Sequence, residues 1–354
     1  MRTDGKTPSQ ARGRLAYLAL VPVLAIAALL TYGAVRLALP AKPTTSGGGT
    51  LRSSSEEVAE AARLALQRNE FSRAEALLRE GVRTYPAEQT LRLMYGEALL
   101  AVKKPVEALE QYEAAIGIGP DHAEYRHVAA SIADDLGMLE EAEFHWTIAQ
   151  KLAPAHAKFP LYLAQVQRKL NKPDAARASA VIAATIDPEL DEAWATLAMI
   201  SLDENNLNMA LQHVAKARAL NADSVFYRVL EARALRRDNQ PQRALDLLMG
   251  ISEPVRLGDA GVLTEISLCL GMLGRPGDAA AMYEQAARRA ESVAGPMYEA
   301  AVWHERAGQR EAALRCAQAA AAAGNERARA LVERLSGGIG AESAAAPTEE
   351  RGGI

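Results

Sequence analysis

The chain has 354 residues, with 40 Lys and Arg against 44 Asp and Glu for a formal net charge of -4. That balance argues against bulk attraction to nucleic acid, which calls for a basic face. Apolar residues make up 49% of the chain but only 17 are aromatic (3 Trp, 10 Tyr, 4 Phe), and the excess of Ala and Leu favours helix over sheet.

Residues 1–14 form a short polar segment. Leu15 to Val35 (LAYLALVPVLAIAALLTYGAV) then runs for 21 residues without a charge. As a helix it would span about 31 Å, close to the roughly 30 Å hydrocarbon core of a bilayer. Tyr17 and Tyr32 sit near its two ends, as interfacial aromatics do, and Pro22 falls near the start of the run. A cleaved signal peptide has a shorter apolar region followed by a small-x-small site, and RLALPAKP offers no good one, so the segment reads as an uncleaved transmembrane helix. Arg2, Lys6, Arg12 and Arg14 precede it while Arg36, Lys42 and Arg52 follow, which by the positive-inside rule puts the body outside the cytoplasm. Residues 36–54 are rich in Pro, Gly, Ser and Thr (PAKPTTSGGGTLRSS from Pro40) and read as a flexible linker.

Beyond the linker the sequence repeats. Pro86, Pro120, Pro154 and Pro188 fall 34 residues apart. An alanine lies twelve residues before each, and that series continues: Ala74, Ala108, Ala142, Ala176, Ala210, Ala244, Ala279 and Ala313, slipping by one residue only between Ala244 and Ala279. A second series of small residues keeps the same step through Ala62, Gly96, Ala130, Ala164, Ala198, Ala232, Ser267 and Ala301. A third, from Gly81 through Ala115, Ala149, Ala183 and Ala217 to Ala286 and Ala320, is broken at Ile251. Between the first two series stands a turn residue: Asn69, Lys103, Gly137, Asn171, Asn205, Asn239, Gly274 or Gly308. Each copy therefore reads as helix, short turn, helix. Gly and Asn tolerate the left-handed backbone that closes a helix, and small residues let two helix backbones approach at a crossing. Pro105, Pro173, Pro241 and Pro276 suit the first turn of the second helix.

These features resemble the tetratricopeptide repeat family: the 34-residue period, the small-residue positions, the alanine early in the second helix and the closing proline. The resemblance covers about three-quarters of the chain and implies an all-α right-handed α-solenoid of about eight repeats over residues 55–327, starting near 55, 89, 123, 157, 191, 225, 260 and 294. A capping helix is expected over 325–335 and a disordered tail over 336–354. The sequence departs from the family where the large residue early in the first helix, present as Trp194, becomes Val58, Arg92, Arg126, Pro160 or Arg228. Around Ile251 and the irregular loop Gly250–Asp259, a local break in stacking is expected.

Catalytic chemistry is hard to assemble. The two cysteines, Cys269 and Cys316, exclude a disulfide-rich scaffold and any multi-cysteine zinc or iron–sulfur site. His304-Glu305 begins an H-E-x-x-H pattern but ends on Gly308, and His122 and His127 lie about 140° apart around a helix. No catalytic residue, cofactor or metal ligand is expected, and the chain does not read as an enzyme.

The resemblance implies that the first helices line a concave face that binds protein or peptide partners. The expected binding residues are His127, Ser131, Leu161, Gln165, Met199, Arg233, Arg236 and Arg237. The family's Lys/Asn clamp for acidic chaperone tails is missing from the matching positions, which argues against that ligand. Asp135, Lys169, Asp203 and Arg237 share one repeat position with alternating sign, and Asp134 stands one copy before Arg168, which predicts an ionic ladder between copies. An anionic ligand at Arg233, Arg236 and Arg237 is the alternative. The reading is a single-pass protein of a bacterial inner membrane, its repeats in the periplasm, scaffolding the assembly of envelope complexes. Two other roles stay open: a cytoplasm-facing regulatory adaptor, and a non-catalytic subunit of a membrane glycan or polysaccharide synthase.

Overall fold

The computed structural model describes residues 54–337. The expected transmembrane helix, the linker before Ser54 and the tail after Gly337 lie outside the described residues. Among the described residues no helix is long and apolar enough to cross a membrane.

The described chain is all helix and turn, arranged as successive hairpins. These are α1 (Ser55–Gln67) with α2 (Phe71–Thr84), α3 (Gln89–Ala101) with α4 (Pro105–Ile118), α5 (Ala123–Leu136) with α6 (Leu139–Leu152), and α7 (Lys158–Lys169) with α8 (Pro173–Ile186). Then follow α9 (Asp191–Asp203) with α10 (Leu207–Leu220), and α11 (Val225–Arg237) with α12 (Pro241–Met249). After the short α13 (Glu253–Gly258) come α14 (Ala260–Met272) with α15 (Pro276–Ala287), α16 (Ala294–Arg306) with α17 (Arg310–Ala322), and a last helix α18 (Glu326–Gly337). The contacts divide these hairpins into two compact units that meet at Ile186 and Asp187, between the fourth and fifth copies.

Each copy turns by the same local chemistry. Asn69, Lys103, Gly137, Asn171, Asn205, Asn239, Gly274 and Gly308 all have positive φ, between 56° and 78°. In the first copy Asn69 N–H donates to Leu66 O (2.9 Å) and Glu70 N–H to Ala65 O (2.9 Å), the paired bonds of a Schellman closure. Copies two to eight repeat the pair, as in Gly137 to Asp134 (3.0 Å) and Met138 to Ala133 (2.8 Å). Lys103 is the one residue of the eight that pays the Cβ penalty of this conformation without an Asn side chain to soften it. The first helix starts on a capping box: Glu57 N–H donates to Ser54 Oγ, and Ser54 N–H donates back to the Glu57 carboxylate.

The small-residue series mark the helix crossings. Ala74, Ala108, Ala142, Ala176, Ala210, Ala244, Ala279 and Ala313 are all fully buried. At Gly96 the approach is tighter still, since a Cβ would lie 2.7 Å from Tyr112 Cε2 on the second helix of the same copy. Larger apolar residues fill the space beside each crossing: Leu78, Leu91, Leu99, Trp146 and Val166 in the first unit, and Ile200, Val214, Leu248, Val262 and Ile266 in the second. The expected irregularity is local. In the sixth copy α12 has only 9 residues, Ile251 is buried where other copies have a small residue, and α13 fills the loop before α14.

The position held by Trp194 shows how arginine replaces tryptophan. Trp194 Nε1 donates to the carbonyl of Pro188, six residues earlier, at 2.9 Å. Arg92 Nε donates to Pro86 O (2.9 Å) and Arg228 Nη2 to Ala222 O (3.2 Å), again six residues earlier. A planar N–H donor on a long side chain satisfies the loop carbonyl in each case. Arg126 differs, forming a fork with the Asp121 carboxylate at 2.9–3.1 Å.

Candidate functional site

In every copy, the residue after the small residue of the first helix keeps some exposure: Arg63 and Arg233 are exposed and the other six are half-buried. In the first unit the positions are Arg63, Glu97, Ser131 and Gln165; in the second they are Met199, Arg233, Leu268 and Val302. The preceding residues, from Ala62 to Ala301, are packed against the second helix at essentially zero exposure. A rotation of about 100° per residue explains the switch from closed to open within one step. The first unit's column is polar, and burial raises the Glu97 carboxyl above its usual range. Apart from Arg233, the second unit's column is apolar.

His127 and Leu161 lie one turn before this column and behave differently from Ser131 and Gln165. Leu161 is 3% exposed, so it packs inside the first unit and offers no surface to a partner, a correction to its expected place on the binding face. The His127 ring sits in an aromatic cluster, with centroids 4.7 Å from Trp146, 5.6 Å from Tyr162 and 5.9 Å from Phe159. Its Nδ1 is buried without a hydrogen-bond partner. Burial, assisted by nearby His156, pushes the His127 pKa down to about 4, so the ring is neutral at physiological pH. It is a packing ring at the edge of the open column.

The arginines of the sixth copy are compensated. Glu265 on α14 reaches both neighbours: its Oε1 accepts from Arg233 Nε at 2.7 Å and its Oε2 from Arg236 Nε at 3.0 Å. The Glu265 side chain is only 4% exposed. Arg237 Nη2 donates to Asn205 Oδ1 at 3.1 Å. A basic cluster in the sequence is thus an ion-paired junction between the sixth and seventh copies in the fold. Met199 is half-buried in the same unit, packed against the apolar cluster that includes Ala198 and Val214.

Opposite charges on successive copies do meet, one residue out of the expected register. Lys169 Nζ lies 2.5 Å from Asp134, rather than on Asp135. A second set was not legible as a ladder: Lys104 with Glu75 at 2.9 Å and Lys172 with Glu143 at 2.5 Å, each 29 residues apart. The Lys104 ammonium holds the Glu75 carboxyl below its usual range. Cys269 and Cys316 are buried free thiols, both pushed up to about 11 by burial. Two groups of side chains bring three potential metal-ligand atoms together: Glu113, Glu141 and His145 in the first unit, and Glu284, His304 and Cys316 in the second.

Within each unit, helical hairpins that repeat one turn and one crossing define a helical-repeat fold. Residues 65–132 match the model of the tetratricopeptide repeat family. A tetratricopeptide repeat protein from Parabacteroides merdae superposes with a TM-score of 0.58 at 16% identity, over 70% of this chain and 98% of that one. Yeast Tom70 gives a TM-score of 0.55 at 15% identity, over 89% of this chain and 72% of its own. The Cut9–Hcn1 hetero-tetramer of the APC/C gives 0.55 at 13% identity, over 80% of this chain and 56% of that one. No curated protein matches the sequence. At such identities the likeness carries the fold alone, and function has to be argued from the site.

Proposed function

We propose that this chain is a membrane-anchored tetratricopeptide-repeat scaffold that binds protein segments along its first helices and performs no catalysis itself. One position per copy supports the reading: within each unit, Arg63 to Gln165 in the first and Met199 to Val302 in the second, it keeps some exposure while its chain neighbour is sealed in the crossing. Side chains offered at a constant 34–35-residue step suit an extended segment laid across several copies of one unit, with each copy reading a residue or two. The chemistry of the column selects the partner: the copies with Met199, Leu268 and Val302 favour apolar side chains, whereas Ser131 and Gln165 favour hydrogen-bonding ones. The uncharged run from Leu15 to Val35 supports the anchor, and the excess of basic residues before it supports repeats in the periplasm of a bacterial inner membrane, serving envelope assembly.

The test has two arms. A single cysteine at Ser343, in a Cys269→Ala, Cys316→Ala background, is treated with a membrane-impermeant maleimide in cells whose outer barrier is permeabilised. Labelling before lysis supports the periplasmic body; labelling only after lysis refutes it and favours the cytoplasmic adaptor. Separately, Ser131→Arg with Gln165→Arg, polar positions on first helices of one unit, is expected to abolish partner co-purification with Tm little changed. Retained co-purification would refute the first-helix surface.

A further inference from the structure

The repeat register builds a three-helix junction in the seventh and eighth copies that the scaffold role does not use. Glu284 stands five residues after the crossing alanine Ala279, and Cys316 three residues after Ala313. Stacking of successive second helices brings these two positions together, with the Cys316 Sγ 3.6 Å from Glu284 Oε1. His304 enters from the first helix between them, its Nε2 2.6 Å from the same carboxylate oxygen. The ligand atoms of all three residues lie within 4.8 Å of one another.

We propose that Glu284, His304 and Cys316 form a binding site for a borderline divalent cation of the zinc class. Three features of the geometry support it. The donor set is one thiolate, one imidazole and one carboxylate, the mixture such an ion takes in tetrahedral sites. Bonds of about 2.0 and 2.3 Å at a tetrahedral angle put an oxygen and a sulfur ligand about 3.5 Å apart, and the observed Sγ to Oε1 separation of 3.6 Å already matches. The His304 to Glu284 contact would have to open by about 0.7 Å, because the ion takes the place of a shared proton.

The third feature is the other nitrogen of the ring. His304 Nδ1 lies 2.6 Å from Gln309 Oε1, an acceptor at the start of α17. A proton fixed on Nδ1 leaves the Nε2 lone pair for the ion, the arrangement that orients a ligating histidine. The first unit's group shows the opposite. Arg126 Nη1 faces His145 Nδ1 at 3.1 Å and makes that nitrogen the acceptor, so Nε2 carries the proton and is closed to a metal. The same stacking register therefore produces a cluster of ligand type twice, and only the second has the tautomer a cation needs.

Binding releases the Cys316 thiol proton to solvent, since the thiolate is the ligand. The side chains of His304 and Cys316 are buried, while the Glu284 side chain is 31% exposed, leaving water as the fourth ligand on that side. The ion would tie α15, α16 and α17 together near the end of the second unit.

The test uses the full chain purified in detergent and titrated with cobalt(II), then with zinc. One equivalent of cobalt is expected to give a thiolate-to-cobalt charge-transfer band and the strong visible bands of a tetrahedral site, both bleached by zinc. The band should be lost in Cys316→Ser and kept in Cys269→Ser. Glu284→Gln, at a partly exposed position that tolerates the change, should weaken cobalt binding, and Gln309→Ala should weaken it about 10–100-fold through the freed ring. A wild-type chain that gives no thiolate band at one equivalent overturns the proposal. So does a band that survives Cys316→Ser.

Discussion

The aromatic cluster around His127 makes the stability of the first unit depend on pH. The unfolded ring titrates near 6.5, whereas burial holds the folded ring at about 4. A group whose folded pKa lies below its unfolded value stabilises the fold fully above the unfolded pKa, and that contribution is lost as pH falls toward the folded one. Between pH 6.5 and 4 the unfolded chain therefore binds more protons than the folded chain. For these two values the loss is about 2 kcal/mol at pH 5 and approaches about 3 kcal/mol near pH 4. Glu124 and Lys158 act on the ring with opposite signs. His127→Phe keeps an aromatic ring against Trp146, Phe159 and Tyr162 but removes the titration. The assay is urea unfolding at pH 7.5 and pH 5, followed by Trp fluorescence. The wild-type chain should lose about 2 kcal/mol more than the variant over that interval, because His145 and His213, also lowered by burial, titrate in both chains and cancel. Parallel losses would refute the buried, neutral ring.

Four further outcomes follow from the same geometry. Lys103→Gly relieves the positive φ of 62° and should raise stability by about 0.5–1 kcal/mol, read as an increase in Tm. Ala142→Leu overpacks a fully buried crossing and should cost about 1–3 kcal/mol by urea unfolding. Glu265→Gln leaves Arg233 and Arg236 uncompensated at a junction between copies and should destabilise the second unit by about 2–3 kcal/mol, again by unfolding. Trp194→Phe removes the bond to Pro188 O and should cost about 1 kcal/mol, whereas Trp194→Arg should recover part of it, as Arg92 and Arg228 do at the same repeat position.

The helix boundaries and turns were legible because they obey local rules that repeat. A residue that must take φ near 60° is Asn or Gly in seven of eight copies, and a crossing that admits only a small side chain shows one. Side-chain partners were less legible. Lys169 reaches Asp134 instead of Asp135, so repeat position fixes the neighbourhood and not the partner. Glu265 was invisible as the partner of Arg233 and Arg236: it lies 32 and 29 residues on, across the one-residue slip that follows Ala244. Leu161 shares a repeat position with His127, yet one is sealed and the other sits at an edge, since neighbouring rings differ from copy to copy. Spacing rules for metal motifs read a single helix, and so passed over Glu284, His304 and Cys316, which come from three.

Whether partners engage the first helices can be read by site-directed photocrosslinking in living cells. A photoreactive residue is placed singly at Ser131, Gln165, Met199 or Val302 on first helices, and at Phe144 or Val181, exposed positions on second helices. One discrete adduct, of the same mass increment, is expected at first-helix positions and missing from Phe144 and Val181. Adducts confined to the second-helix positions would contradict that engagement.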